Sequence, residues 1–228
     1  MALKIVYLAV FFLSFIELCI FFEITSNKIN KNYLILFVTT IISNFGYSML
    51  TFASSLEAAM CGDLLSYIGS IFTIMFMLVV VVDMCGKRIY IPLRLILLVV
   101  AVIISIFVAT TRDTNLFFDH PYIVQEHGLT LVKYSMGPVM IFYMVYLAVI
   151  NLSAIGIVIH SIITKQRVSK TGLRILLCVL ISGTLLYVIP LALGISINLM
   201  PFIYVSMETF FSCTFLRVQV FMIFQAIL

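Results

Sequence analysis

Seven long apolar runs, at about 4–23, 33–54, 58–82, 89–111, 136–161, 173–195 and 199–219, take up most of the chain. Each is near the roughly 20 residues that a helix needs to cross a bilayer core. In lipid the backbone must satisfy its own polar groups, which leaves helices or closed barrels. The period-two alternation of a membrane barrel is absent. The expected fold is therefore an all-α membrane protein, a seven-transmembrane helix bundle. Only 10% of the 228 residues are charged and 64% are hydrophobic, against about 25% charged in soluble domains. That excludes a soluble enzyme and leaves no polar stretch for a separate aqueous domain. The first run does not read as a signal peptide, because Glu17 interrupts it and no small-residue cleavage site follows.

The basic residues orient the bundle. Lys28, Lys31, Lys87, Arg88, Arg94, Lys165, Arg167, Lys170, Arg174 and Arg217, ten of the 13, fall at one set of helix ends. Lys4, Arg112 and Lys133 fall at the other. Cytoplasmic flanks carry the excess, so the N-terminus is expected outside and the C-terminus in the cytoplasm. The longest connection, about 112–135, is then external. Two β-prone arms between Tyr122 and Tyr134 flank Gly128, which can take the left-handed conformation of a tight turn. A short extracellular β-hairpin between helices 4 and 5 is expected, with an irregular loop as the alternative. Residues 1–219 form the expected sensor domain, and 220–228 a juxtamembrane tail leading to an output domain outside this chain. The five cysteines lie in or beside apolar runs and suggest no disulfide framework.

Several segments carry a resemblance. Asn44-Phe45-Gly46-Tyr47, Ser55-Leu56-Glu57-Ala58-Ala59 and Tyr67-Ile68-Gly69 come first, followed by Asn115-Leu116-Phe117-Phe118. Leu131-Val132-Lys133-Tyr134 then runs into Gly137-Pro138 and Phe142-Tyr143, and Leu199-Met200-Pro201 precedes Tyr204-Val205. In this order they resemble the seven-helix N-terminal sensory domain of bacterial membrane histidine kinases and diguanylate cyclases, over nearly the whole chain. The chain departs from that pattern at Asp63-Leu64, where family members often carry a Lys. It also departs at Phe72-Thr73-Ile74, where they often have a Pro, and at Asn198, where an acid is common. The resemblance implies an input domain whose output domain follows the seventh helix.

Ionisable groups within spans are the first candidates for function. Glu17 and Glu208 lie nearest mid-span, where a charge costs about 2.5–3.5 kcal/mol on insertion scales. No Lys or Arg shares their depth. Each is either part of a ligand or proton site or a neutral carboxyl hydrogen-bonding between helices. Asp83 and Lys87, spaced i, i+4, read as an interfacial ion pair. Asn44, Tyr47, Ser48 and Thr51 form one stripe on the second helix, and Asp63 and Tyr67 share a face of the third. Tyr143 and Tyr146, Tyr187, and Tyr204 occupy the outer halves of the last three helices, with Tyr204 one turn above Glu208. If these faces converge, Asn44, Tyr47, Asp63, Tyr67, Tyr143, Tyr146, Tyr187, Tyr204 and Glu208 form an aromatic-walled ligand pocket beneath the hairpin. The alternative is that polar residues join helices and Tyr anchors the interface.

No catalytic or cofactor chemistry is legible. His120 and His127, beside Asp119 and Glu126, establish no defined metal geometry. A retinal Schiff base would need a Lys inside the bundle, and a bis-histidine haem would need two intramembrane histidines. No phosphate loop, zinc-protease helix or activated nucleophile is present. The chain is therefore expected to be no enzyme by itself, to take no cofactor and to bind no nucleic acid. The expected function is a transmembrane receptor domain of a bacterial signalling protein in the cell membrane. It would bind a small amphipathic or cationic ligand from outside or from the outer leaflet and signal through helix 7. Its expected partners are that unidentified molecule, membrane lipid, a fused or recruited cytoplasmic output domain, and a second copy in a homodimer. The alternative is a small transporter or a membrane subunit of one, for which Gly183 and Pro190 in the sixth run hint at a broken helix.

Overall fold

The computed structural model describes residues 2–25, 30–111, 114–126, 128–164, 169–193 and 198–227, with backbone only at 2, 24, 191 and 215–227. Seven helices coincide with the apolar runs: α1 (Ala2–Ile24), α2 (Lys31–Phe52), α3 (Leu56–Met84), α4 (Ile91–Ala109), α5 (Pro138–Ile163), α6 (Lys170–Ala192) and α7 (Met200–Ile227). Among the described residues, α1 to α6 are long and apolar enough to cross a membrane. α7 has 28 residues, about 42 Å at 1.5 Å per residue, and outreaches a hydrocarbon core of about 30 Å. It continues through the expected tail as far as Ile227. α6 contains Pro190 and stays helical on either side of it. Arg217 lies in α7, but its side chain falls outside the described residues, as do Arg112 and His127.

Hydropathy does not decide which helix lies at the centre. α4 has the highest mean hydropathy of the spans, 2.9, yet only 17% of it is buried, whereas α3 at 2.4 is 78% buried. Lipid tails solvate apolar side chains as well as a core does, so association depends on packing and polar contacts. α3 has both. Nearly every residue from Ile71 to Val82 is buried. α2, α4, α5 and the hairpin all pack on it, and α5, α6, α7, α1 and α2 complete a ring of neighbours.

The α2–α3 seam is made of small and hydroxyl residues. A Cβ on Gly46 would lie 2.3 Å from the Ser66 amide nitrogen, and one on Gly69 would lie 2.4 Å from that of Ser43. From the α3 side, a Cβ on Gly62 would come within 2.6 Å of the Leu50 nitrogen. The two backbones therefore touch. Hydroxyls bridge the remaining gaps: Ser43 donates to the Ser66 carbonyl at 3.1 Å and pairs with Ser70 Oγ at 2.9 Å, and Thr73 donates to Thr39 at 3.2 Å.

A hairpin closes the end where α3, α5 and α7 begin. β1 (Phe118–Glu126) and β2 (Leu129–Met136) run antiparallel, with Glu126 opposite Leu129 across a turn in which Gly128 has φ 77°. The register shifts between Asp119 and Tyr122, where His120 takes φ 49°. That is an uncommon conformation for a residue with a Cβ and marks a bulge. Thr130 donates to the Ala53 carbonyl at 2.8 Å, and Ile123 and Val132 pack on Leu50, Ala53 and Ala59. At its base the Gly137 and Val139 amides donate to the Phe117 and Leu116 carbonyls at 3.1 and 3.0 Å. Lys133 donates to Glu126, and that bond raises the Lys133 ammonium above its usual range.

The seam can be tested by adding one methyl group. Gly46→Ala, Gly62→Ala and Gly69→Ala should each lower stability by about 1–3 kcal/mol, the range of overpacking, read as thermal unfolding in detergent. Gly156, mid-α5, has nothing within 4 Å of a built Cβ. Gly156→Ala should be neutral or stabilise by up to about 1 kcal/mol.

Candidate functional site

α3, α5, α6 and α7 border a cavity of about 230 Å³, which on α7 begins at Met200, the hairpin end, and on α3 reaches Met77, past the middle of that helix. Its wall is apolar, with Met77, Met144, Leu147, Leu180, Ile203 and Met207, and is interrupted by Asn151, Thr184, Tyr187 and Tyr204. Ala148, Leu152 and Val188 line it and are also exposed on the outer surface of the bundle, so it opens sideways between α5 and α6. Within its wall α6 comes close to α7, where a Cβ on Gly183 would lie 3.1 Å from Ile203. Tyr187 donates to Met144 Sδ at 3.0 Å. The Tyr204 hydroxyl is buried and has no hydrogen-bond partner among the described residues. Ser70 stands near it without the required geometry.

Beneath the hairpin lies a second feature, an aromatic cluster. Tyr67 meets Phe117, Phe118 and Tyr143 edge-on at 5.2, 5.4 and 5.5 Å between centroids, and the Tyr134 ring lies 4.0 Å from that of Phe118. Edge-to-face geometry is favoured by the ring quadrupoles. The Tyr67 and Tyr134 hydroxyls share a 2.5 Å hydrogen bond. Burial holds the Tyr134 phenol above its usual range, and the Asp63 charge raises it further. Asp63 is buried and lies near these phenols, with Ser66 Oγ 3.5 Å from its Oδ1.

A third polar group joins α1, α2 and α7. Thr209 donates to Glu17 Oε1, and Glu17 is 5% exposed. Glu208, 1% exposed, lies beside Glu17 and Thr40. Neither of its oxygens meets hydrogen-bond geometry with a described residue. The same holds for both polar atoms of the Asn44 amide. Nearer the hairpin, Tyr7 donates to the Asn198 carbonyl at 2.7 Å and Asn198 donates to Tyr47 at 3.2 Å. α1 and the start of α7 are thereby tied to α2.

A family model describing the N-terminal 7TM region of histidine kinase matches residues 5–224. The chain belongs to that family. No individual curated protein matches it. This 7TM region is a sensory input domain, not itself catalytic, and the chain is a multi-pass protein of the bacterial plasma membrane.

Within this 7TM domain the nine residues singled out from sequence fall into separate places. Tyr187 and Tyr204 share the cavity. Tyr67 and Tyr143 share the aromatic cluster, with Asp63 near it. Tyr47 is held by Asn198, while Asn44 and Glu208 are buried and meet hydrogen-bond geometry with no described residue. Tyr146 is buried with an unpartnered hydroxyl and is not among the cavity's lining residues. Asp83 is also held differently from expectation, accepting from Asn32 at 2.9 Å instead of pairing with Lys87. Sequence reasoning missed Met144, Asn151 and Thr184, which carry no signal beyond lying on inward faces. It also missed the Ser43–Ser70 seam, whose signal was small residues at helical spacing. His120 lies 3.5 Å from Asp119 and is exposed; no three metal-ligating side chains converge among the described residues.

Among the described residues Glu208 has no cation to pair with, so no ion pair there depends on its carboxyl. Glu208→Gln, which keeps the shape and removes ionisation, should leave the thermal midpoint within a few degrees of wild type. A large loss would show that an ionised carboxylate supports the fold.

Proposed function

We propose that this input domain binds a small, neutral amphipathic molecule in the α3–α5–α6–α7 cavity and relays occupancy through α7. One observation carries the reading. An apolar cavity with a few polar groups in its wall, Asn151 and Thr184 among them, opens sideways between α5 and α6. Ligand sites are commonly of this kind, apolar with a small number of placed polar groups. The named lining residues include no charged side chain, which favours a neutral amphiphile over the cation considered above. In the proposed orientation the hairpin is outside, and the α7 part of the wall, Met200 to Met207, lies at the hairpin end, which favours entry from the outer leaflet. Tyr204, Ile203 and Met207 belong to α7, and a ligand that binds two positions of that helix unequally shifts the balance between them. The output is a cytoplasmic kinase or cyclase domain, fused or recruited beyond 220–228, in a dimer.

Two experiments test this. A thermal-shift screen of neutral amphiphiles, followed by equilibrium binding in nanodiscs, should yield a ligand. Asn151→Leu should weaken its binding by the worth of one hydrogen bond, about 1 kcal/mol, and Ala148→Trp at the mouth should abolish binding with the fold retained. Unchanged binding in both variants would place the ligand elsewhere. For orientation, single cysteines at Gln125 and at Ser169 in a cysteine-free background should label from opposite sides of intact cells, with an impermeant reagent reaching only position 125. Labelling at 169 from outside would invert the bundle.

A further inference from the structure

At the end opposite the hairpin, a polar pocket of about 490 Å³ opens between the end of α3 and the beginnings of α2 and α4. Lys87, Arg88 and Arg94 line it together with Asn30, Asn32 and Asp83. We propose that it binds a phosphate group, either of a lipid headgroup or of a soluble phosphate compound.

The local fold aims these cations. α3 ends with Gly86 at φ 69°, the Lys87 amide donating to the Val82 carbonyl at 3.1 Å and the Gly86 amide to the Asp83 carbonyl at 3.0 Å. This glycine-terminated cap turns the chain so that Lys87 and Arg88 face the starts of α2 and α4. Asn32 bridges the only carboxylate of the pocket to Arg94: its Nδ2 donates to Asp83 at 2.9 Å and its Oδ1 accepts from Arg94 at 2.8 Å. The guanidinium lies 5.8 Å from the Phe76 ring centroid. Arg94 is therefore held in place without a direct ion pair, and its other donors remain available.

Charge points to the ligand. None of Lys87, Arg88 and Arg94 forms an ion pair with a described residue. Neither α2 nor α4 has an acid in its first turn, and Arg94 itself stands in the first turn of α4. A cation near a helix N-terminus opposes the helix dipole, and two N-termini and three cations around one carboxylate leave a net positive cup. A phosphate offsets it in three ways: oxygens for the planar Arg fork, a counter-charge for Lys87 and Arg88, and an anion for the helix ends. This site shares no lining residue with the cavity proposed for the sensed ligand and does not depend on it.

The test uses the full chain in uncharged detergent and in nanodiscs. In detergent, inorganic phosphate should raise the thermal midpoint saturably, beyond sodium chloride of equal ionic strength, if soluble phosphate is the ligand. If a headgroup is the ligand, the protein should retain phosphatidylglycerol over phosphatidylcholine in native mass spectra after release from mixed nanodiscs. Either result supports the site, provided that the Lys87→Gln/Arg88→Gln double variant weakens it about tenfold or more, as the loss of two charge-assisted contacts requires. Those two side chains make no described contact that the fold needs, so the variant reads binding alone. Arg94→Lys, which keeps the charge and loses the fork, should weaken binding by a smaller factor. Absence of both responses, or a response unchanged in the double variant, overturns the proposal.

Discussion

Where α2 and α3 cross, Gly46, Gly62 and Gly69 remove the side chains that would hold two backbones apart, and Ser43, Ser66 and Ser70 bond across the space that remains. In a bilayer no hydrophobic force drives helices together. Close packing and satisfied hydroxyls have to do it, and this seam has both at consecutive turns. Everything else is placed relative to it. α4 and α5 pack on the far sides of α3, the hairpin rests on the α2 end through Ala53 and Thr130, and α1 is tied to α2 through Ser48 and the Tyr7 carbonyl at 3.1 Å.

α7 stands in a different relation to this spine. Its contacts to α1 and α2 are side-chain contacts: Tyr33 against Phe211 edge-on at 6.1 Å, Tyr7 against Phe202 at 5.7 Å, and Thr209 to Glu17. On its other face it borders the cavity. α6 packs on it there as well. In the proposed function α7 is the part that shifts, and the backbone-packed α2–α3 pair is the part that stays.

The sequence made the seven spans legible because lipid leaves an open chain only the helix, and a helix of that length needs a continuous apolar run. The bend at Gly128 was legible for a similar reason, since few residues take its backbone conformation. The site was legible only in fragments. Periodicity assigns Tyr67, Tyr143, Tyr187 and Tyr204 to inward faces but does not say which inward faces meet. Two of them border the cavity and the other two fill the space beneath the hairpin. Asp83 shows the same limit. Its i, i+4 spacing to Lys87 is a property of one helix, and the partner it takes, Asn32, comes from another. The glycines of the seam stood in quoted motifs, yet their role depends on the neighbouring backbone, which one strip of sequence does not contain.

The central claim is that α7 moves as a rigid rod against the α2–α3 spine and carries the signal out of the membrane. Fusing a cyclase or kinase output domain after Leu228 and inserting one to four alanines after Gln219 tests it most directly. Each insertion rotates the output by about 100°, so a rigid α7 predicts basal activity that rises and falls with helical phase. Activity indifferent to every insertion would contradict a coupling helix.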